Sequence, residues 1–170
     1  MDGDYTEMLA LALPTIIMAL VAYYFYNLHS KNVNKHYTFE AMNQRKKEGL
    51  PIKLQAYERM LLFCERINPV KMLVRIKPID ESSNGYLQLL LKSIEQEFEH
   101  NLVQQVYITD ECWNLIITSK TAVINKLKTI ANESDNAQEL REKTMIAYQN
   151  VNPPTDTAIT FIKSEVKKLI

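Results

Sequence analysis

The feature that most constrains the fold is a run of 19 residues without a charged side chain, at positions 8–26. A helix of this length would extend about 28 Å, which is close to the ~30 Å hydrocarbon core of a bilayer. A secretory signal peptide begins with basic residues and ends at a small-residue cleavage site, whereas this run follows acidic residues and ends in tyrosines. We therefore predict that residues 8–26 form a single retained transmembrane helix.

Charged residues are distributed unequally on the two sides of this run. Residues 1–7 contain three acidic and no basic side chains, whereas residues 31–53 contain six basic and two acidic ones. Because an excess of Lys and Arg marks the cytoplasmic side of a membrane helix, we expect an acidic extracytoplasmic N-terminus at 1–7. We expect a basic juxtamembrane helical stalk at 27–50 and a cytoplasmic helical domain at 51–170, which places the protein in the inner (cytoplasmic) membrane.

Tyrosines and lysines follow one another in the order expected at a membrane surface. Tyr23, Tyr24 and Tyr26 are predicted to lie at the lipid–water interface, where aromatic rings are enriched. Lys31 and Lys35 are predicted to lie at the lipid headgroups, because cationic side chains are attracted to anionic lipid. The sequence thus indicates the lipid bilayer as one binding partner.

The overall charge and the glycine content exclude several other classes of protein. The chain has a formal net charge of zero and contains three glycines. A nucleic-acid partner needs a clear basic excess to neutralise phosphates, so we expect no nucleic-acid binding. Few glycines disfavour a β-sandwich, a barrel or a glycine-rich phosphate loop. We expect no cofactor, and the sequence identifies no small-molecule substrate.

From position 50 onward, apolar residues recur every three or four positions, which is typical of amphipathic helices. Asn68 followed by Pro69 is typical of a helix N-terminus, and Thr109 or Asp110 is expected to cap a later helix. The polar segment 78–85 is predicted to be a turn. The predicted helices are 51–67, with Pro51 in its first turn, 69–76, 86–108, 111–131, one from a cap at Ser134 or Asp135 to 150, and one from Thr155 or Asp156 to the C-terminus. No stretch alternates as a strand would, so we predict a small all-α bundle.

The same periodicity predicts which side chains form the core of this bundle. The residues expected to face inward are Leu50, Leu54, Tyr57, Leu61, Cys64, Ile67, Leu87, Leu90, Leu91, Ile94, Phe98, Leu102, Trp113, Ile116, Ile117, Ile124, Leu127, Ala158, Ile162, Val166 and Leu169. Pro153 and Pro154 are expected to end the helix that precedes the last one.

Three short motifs carry a family resemblance: LQAYER at 54–59, ERINP at 65–69 and EQEFEHN at 95–101. With Trp113, they resemble an uncharacterised family of short Bacteroidota proteins that have one N-terminal membrane helix and a cytoplasmic helical domain. The resemblance covers roughly residues 8–130, so the two C-terminal helices lie outside it. It implies the architecture described above and no activity.

Glu97 and His100 have the Glu-x-x-His spacing found in carboxylate-bridged di-iron bundles. Such a site needs a second Glu-x-x-His and further carboxylates, and the other histidines, His29 and His36, lie beside the predicted membrane helix without that pattern. On a helical projection, His100 lies roughly 145° from the centre of the apolar stripe and so faces away from the core. A membrane-bound, metal-dependent helical enzyme that uses Glu97 and His100 is therefore our alternative hypothesis.

Polar residues on apolar faces suggest an interaction surface. Asn101 and Gln105 lie within about 60° of the stripe centre on their helix, and Lys120 lies in the middle of the next stripe. Lys120 should pair with Glu95 or Glu97, or extend its ammonium group to water. A sharper hypothesis is that Asn101, Gln105 and Lys120 supply directional contacts to a partner protein.

Two charged pairs spaced by seven residues suggest a second contact surface. Glu58 and Arg59 recur as Glu65 and Arg66, on one flank of the predicted helix, where they would suit self-association. They would suit ion pairs within the chain equally well.

The two cysteines, Cys64 and Cys112, match no metal-binding or redox spacing and are expected to be reduced thiols, with Cys64 in the core. Neither has a histidine predicted nearby that would activate it as a nucleophile. We therefore expect a membrane-anchored interaction or scaffold protein, or an accessory subunit of a membrane assembly, with no catalysis of its own.

Overall fold

The chain is described by a computed structural model, which gives the backbone of residues 2–170 and the side chains of 14–27, 44 and 48–170. Within these residues the regular elements are all helices, which confirms the predicted all-α class, and two residues form an isolated bridge, Ser82 and Asn136. The helices are α1 (Asp2–Arg66), α2 (Pro69–Arg75), α3 (Ser83–Asn101), a 3₁₀ helix (Leu102–Val106), α4 (Asp110–Asn132), α5 (Ala137–Ala147) and α6 (Pro154–Leu169).

The chain divides into two compact units, Met1–Gly49 and Leu50–Ile170. Among the side chains that the structure describes, none belongs to a helical stretch with both the length and the apolar character needed to cross a membrane. The second unit contains the helical core and all the contacts described below.

The predicted helix start at Pro51 is wrong, because this residue lies inside α1. A proline lacks the N–H that a residue inside a helix donates to the preceding turn. Pro51 thus removes one backbone hydrogen bond from α1, and the residues on either side of it keep their helical conformation. Pro51 therefore does not mark a helix boundary in this chain.

The caps of α2 and α4 agree with the sequence. Asn68 caps α2, since its Oδ1 accepts hydrogen bonds from the backbone N–H groups of Val70 (3.1 Å) and Lys71 (3.4 Å). Thr109 caps α4 by accepting from the N–H of Cys112 at 3.3 Å. Both side chains satisfy amide groups that have no acceptor within their own helix.

The start of α3 lies earlier than predicted, because Ser82 caps the helix within the expected turn. Its Oγ accepts from the Gly85 N–H at 3.1 Å. A Cβ at Gly85 would lie 2.9 Å from Oδ1 of Asp80, which itself accepts from the Ser82 N–H at 3.0 Å. Glycine thus allows the close approach of the Asp80 carboxylate, and its backbone angle is an ordinary one.

The end of α3 is also earlier than predicted, at Asn101 instead of position 108. Nδ2 of Asn101 donates to the backbone carbonyl of Glu97 at 2.8 Å. Asparagine side chains that bond to nearby backbone groups compete with helical hydrogen bonds, and the chain tightens into the 3₁₀ helix that follows.

The boundaries of the last two helices differ from the predictions as well. Asn136, not Ser134 or Asp135, caps α5, since its Oδ1 accepts from the Glu139 N–H at 2.9 Å. The Glu139 carboxylate in turn accepts from the Asp135 N–H at 2.7 Å, so two amides are satisfied reciprocally. This helix ends at Ala147, short of the predicted 150.

The last helix begins at Pro154 rather than at Thr155 or Asp156. Proline suits the first helical position, because its missing N–H would have no partner there. The side chain of Thr155 is buried and accepts a 3.4 Å hydrogen bond from Nδ2 of Asn68. The start of α6 is thus joined to the start of α2.

The core of the second unit is formed by one face of each long helix. Several predicted core residues are fully buried, namely Cys64, Ile67, Leu90, Ile94, Ile116, Leu127, Ala158 and Ile162. For the C-terminal part of α1 the prediction is correct for Tyr57, Cys64 and Ile67, whereas Leu50, Leu54 and Leu61 are only half-buried. Ala56, Met60 and Phe63 are buried in addition. Leu102, predicted to face inward, is 41% exposed because α3 ends before it.

Candidate interaction surface

The charged residues at the end of α1 form ion pairs with other helices. Arg66 Nη1 lies 3.0 Å from both carboxylate oxygens of Glu97 on α3, and Glu65 pairs with Lys71 on α2. Glu58 and Arg59 are exposed, and no ion pair joins either to another side chain that the structure describes. Glu65 and Arg66 therefore form ion pairs between helices, whereas Glu58 and Arg59 remain exposed at the surface.

Lys120 is mostly buried and pairs with Glu95, one of the two partners that the sequence predicts. Its Nζ lies 2.9 Å and 3.1 Å from the two carboxylate oxygens of Glu95. The same atom lies 3.9 Å from the centroid of the Phe98 ring. Both contacts join α4 to α3, so Lys120 has a role within the fold.

A row of three aromatic side chains connects the same three helices as these ion pairs. The ring centroid of Phe98 is 5.8 Å from that of Phe63 on α1 and 5.6 Å from that of Trp113 on α4. Such ring pairs contribute beyond their buried area, by about 0.5–1.5 kcal/mol each. The row therefore fixes α3 between α1 and α4.

The structure does not bring the predicted partner-binding polar residues together with one another. Asn101 is half-buried and bonded to its own helix, and Gln105 is exposed on the 3₁₀ helix. The side chains of Leu102, Val103 and Val106 are exposed beside Gln105, by 41, 68 and 73%. This apolar surface follows directly from the early end of α3.

Glu97 and His100, the hypothetical metal ligands, have different surroundings from one another. Both carboxylate oxygens of Glu97 accept from Arg66, and His100 is exposed, in agreement with the helical projection. Across the described residues, no group of three or more His, Cys, Asp or Glu side chains is placed to hold a metal ion.

Both cysteines are buried free thiols. Burial raises the pKa of the Cys64 thiol to about 12 and that of the Cys112 thiol to about 11. Because the thiolate is the reactive form, both side chains are weak nucleophiles at neutral pH.

The tyrosines predicted at the membrane interface have exposed side chains. Tyr23, Tyr24 and Tyr26 are 66, 63 and 73% exposed. The side chains of Lys31 and Lys35 lie outside the described residues.

An apolar groove of about 470 Å³ lies between the C-terminal part of α1 and α6. Its lining residues are Leu54, Tyr57, Glu58 and Leu61 from α1, and Ile162, Lys163, Val166 and Lys167 from α6. On α1 they are spaced by three or four residues and so share one face. Leucine, isoleucine and valine form the floor of this α1–α6 groove, while one acidic and two basic residues line its edges.

A polar cluster around Glu165 supports one side of the α1–α6 groove. The Glu165 carboxylate accepts hydrogen bonds from Lys168 Nζ (2.7 Å), Thr109 Oγ1 (3.3 Å) and the Tyr57 hydroxyl (3.5 Å). The bond from Lys168 is the main reason why the pKa of Glu165 is lowered, and burial raises the pKa of the Tyr57 phenol. This cluster was not predicted from the sequence, although Glu165 directly precedes Val166 on the apolar stripe of its helix.

A second groove, of about 440 Å³, lies between α4 and α6. It is lined by Leu115, Asn152, Asp156, Thr157, Thr160, Phe161 and Ser164. This lining combines apolar side chains, Leu115 and Phe161, with hydroxyl, amide and carboxylate groups, and it contains no basic residue.

The fold and its surface define a class of protein: an all-helical domain with interhelical ion pairs and a solvent-open apolar groove. The chain belongs to the family of unknown function DUF7935, whose family model matches residues 3–169. This match is consistent with the expected membership of an uncharacterised family, and it includes the two C-terminal helices. No curated protein and no solved structure matches the chain.

Proposed function

We propose that the chain is a single-pass membrane protein whose helical domain acts as an interaction scaffold or as an accessory subunit of a membrane assembly, without catalysis of its own. The observation that supports this function most directly is the α1–α6 groove. Its half-buried Leu54, Leu61 and Val166 leave apolar area in contact with water. Covering such area is favourable by roughly 25 cal/mol per Å², which makes the groove a suitable place for a protein partner.

The use of ionisable side chains within the fold also supports a non-catalytic role. Arg66, Glu97, Lys120 and Glu95 connect three helices, and Glu165 connects α6 to α1 and to the start of α4. Groups held in this way position helices rather than reacting atoms.

The membrane anchor is supported by the sequence. Residues 8–26 lack charged side chains, and the basic excess that follows them favours a cytoplasmic position for the helical domain. The protein would then be held in the cytoplasmic membrane with its N-terminus outside.

Membrane fractionation tests the anchor. The full chain is expressed with a C-terminal fluorescent protein, and membranes are washed with alkaline carbonate to remove peripheral proteins. We expect the wild-type chain to stay with the membranes. We expect Ile17→Arg to shift a large share to the soluble fraction, because an arginine at the centre of a membrane helix costs about 2.5–3.5 kcal/mol.

Gln44→Arg is the matched control, because it adds the same charge outside the uncharged run and should leave the distribution unchanged. Wild-type chain that is fully removed by carbonate would contradict the anchor. Loss of fluorescence from a correctly inserted fusion would contradict the cytoplasmic orientation.

A further inference from the structure

The α1–α6 groove has edges of opposite charge. Glu58 lies on the α1 edge, and Lys163 and Lys167 lie on the α6 edge. All three side chains are exposed. Within the described part of the chain, Glu58, Lys163 and Lys167 form no ion pair with one another or with a fourth side chain. A surface that is acidic on one side and basic on the other matches a partner with the reverse arrangement.

We propose that a second copy of this chain covers the groove, so that the protein forms a two-fold symmetric dimer. This inference rests on the proposed interaction function and names its surface and its partner. A two-fold axis that runs along the groove places α1 of one copy opposite α6 of the other. Glu58 of each copy then faces Lys163 and Lys167 of the partner copy, and the contact is made twice, as an isologous interface requires.

The apolar residues at the floor of the α1–α6 groove also fit a two-fold dimer. Two helices from each copy, facing one another across the axis, form a four-helix bundle, in which residues spaced by three or four positions pack in the centre. Leu54, Tyr57 and Leu61 on α1, and Ile162 and Val166 on α6, have this spacing. Of these residues, Leu54, Leu61 and Val166 are half-buried in the single chain. Leu62, which is 49% exposed and lies one turn after Glu58, widens the apolar surface on the α1 side.

The first test is the protein mass of the full chain, purified in mild detergent and measured by light scattering over a range of concentrations. The wild-type chain is expected to give about twice its mass of 19.8 kDa. A chain that stays monomeric at every concentration would overturn the proposal.

Charge reversal then tests the geometry. We expect Glu58→Lys to raise the concentration needed for dimer formation by about tenfold or more, because it places like charges opposite one another at two places in the interface. The double variant Lys163→Glu and Lys167→Glu should have the same effect for the same reason. Its matched control is Lys126→Glu with Lys128→Glu, which reverses two exposed lysines on α4 and should leave the dimer unchanged.

The decisive sample is a mixture of the two reversed proteins. In a dimer of one Glu58→Lys chain and one Lys163→Glu, Lys167→Glu chain, both contacts are again between opposite charges. Mixing should therefore restore the wild-type dimerisation, and with two different tags the restored dimer should contain one copy of each chain. This result cannot arise from misfolding of either variant.

A dimer that is insensitive to the reversals, or a mixture that stays monomeric, would overturn the proposal. The same results do not test the proposed scaffold function, which can hold without the dimer. A monomeric chain that stays in carbonate-washed membranes and binds another protein in fixed stoichiometry would remove the dimer and leave the scaffold role in place.

Discussion

The ammonium group of Lys120 lies 3.9 Å from the centroid of the Phe98 ring. The same group pairs with Glu95, which is half-exposed, whereas the side chain of Lys120 is only 13% exposed. An ion pair with one partner in water contributes little, about 0–1 kcal/mol. The contact with the ring and the packing of the lysine methylenes should therefore dominate the contribution of Lys120 to stability.

We predict that Lys120→Ala lowers the free energy of unfolding by about 1–2 kcal/mol, since it removes both the charge and the packed stem. Lys120→Met keeps most of the packing and should cost less than half as much. Urea denaturation followed by circular dichroism measures both, with the exposed Lys126→Ala as control. Equal losses for the alanine and methionine variants would show that the charge alone matters.

Asn68 and Asn136 cap two helices but differ in their surroundings. Asn136→Ala should cost about 1 kcal/mol, which is typical of an exposed N-cap. Asn68→Ala should cost more, about 2 kcal/mol or above, because it also leaves the buried Thr155 hydroxyl without the amide that now donates to it. Chemical denaturation of the two variants provides the comparison, and a smaller loss for Asn68 would contradict a structural role for its bond to Thr155.

Gly85 and Asp80 should be energetically coupled. Gly85→Ala alone is expected to change stability little, because the gain in helix propensity is offset by displacement of the Asp80 carboxylate, which lies 2.9 Å from the new Cβ. In an Asp80→Ala background, the same change should stabilise the protein by about 0.5–1 kcal/mol. Thermal unfolding of the four proteins in this double-mutant cycle gives the coupling, and additive effects would show that the close approach has no cost.

The buried thiols predict a loss of stability at alkaline pH. A thiol whose pKa is raised in the folded state favours folding fully below its unfolded value, near 9, and this contribution falls as the pH rises towards the folded values of about 12 and about 11. The free energy of unfolding should therefore decrease between pH 9 and 11.

Replacing both cysteines by alanine should flatten this part of the pH profile. An Ellman's reagent assay provides a second measurement. Neither thiol should react in the native protein at pH 8, and both should react after unfolding in urea. Rapid labelling of Cys64 in the native state would contradict its burial.

Two helix starts in this chain are predicted correctly from local sequence patterns, those of α2 and α4. Asn68 with Pro69 and Thr109 mark helix starts because a cap depends on a few neighbouring residues. The end of α3 was not predictable in the same way, since the apolar spacing continues through Leu102. In the structure the Asn101 side chain bonds to the Glu97 carbonyl, and the Leu102 N–H bonds to the Glu99 carbonyl, at the point where the helix tightens.

Contacts between helices are harder to predict than the helices themselves. A helical projection gives the direction of a side chain but not the neighbouring helix, so Glu95 and Glu97 were equivalent partners for Lys120. In the structure Glu97 accepts a hydrogen bond from Arg66, and Glu95 accepts one from Lys120. The α1–α6 groove joins residues more than 100 positions apart, and no single-helix pattern contains it.

The central claim is that this chain is a membrane-bound interaction protein, and its most direct test is purification from native membranes in mild detergent through a C-terminal tag. Quantitative mass spectrometry and metal analysis are applied to the same eluate. We predict a protein partner in fixed stoichiometry, either a second copy or another chain, that is lost in Leu61→Glu and retained in the control Lys126→Glu. A partner-free chain that carries one equivalent of metal, lost in His100→Ala, would contradict the claim and favour the enzyme hypothesis.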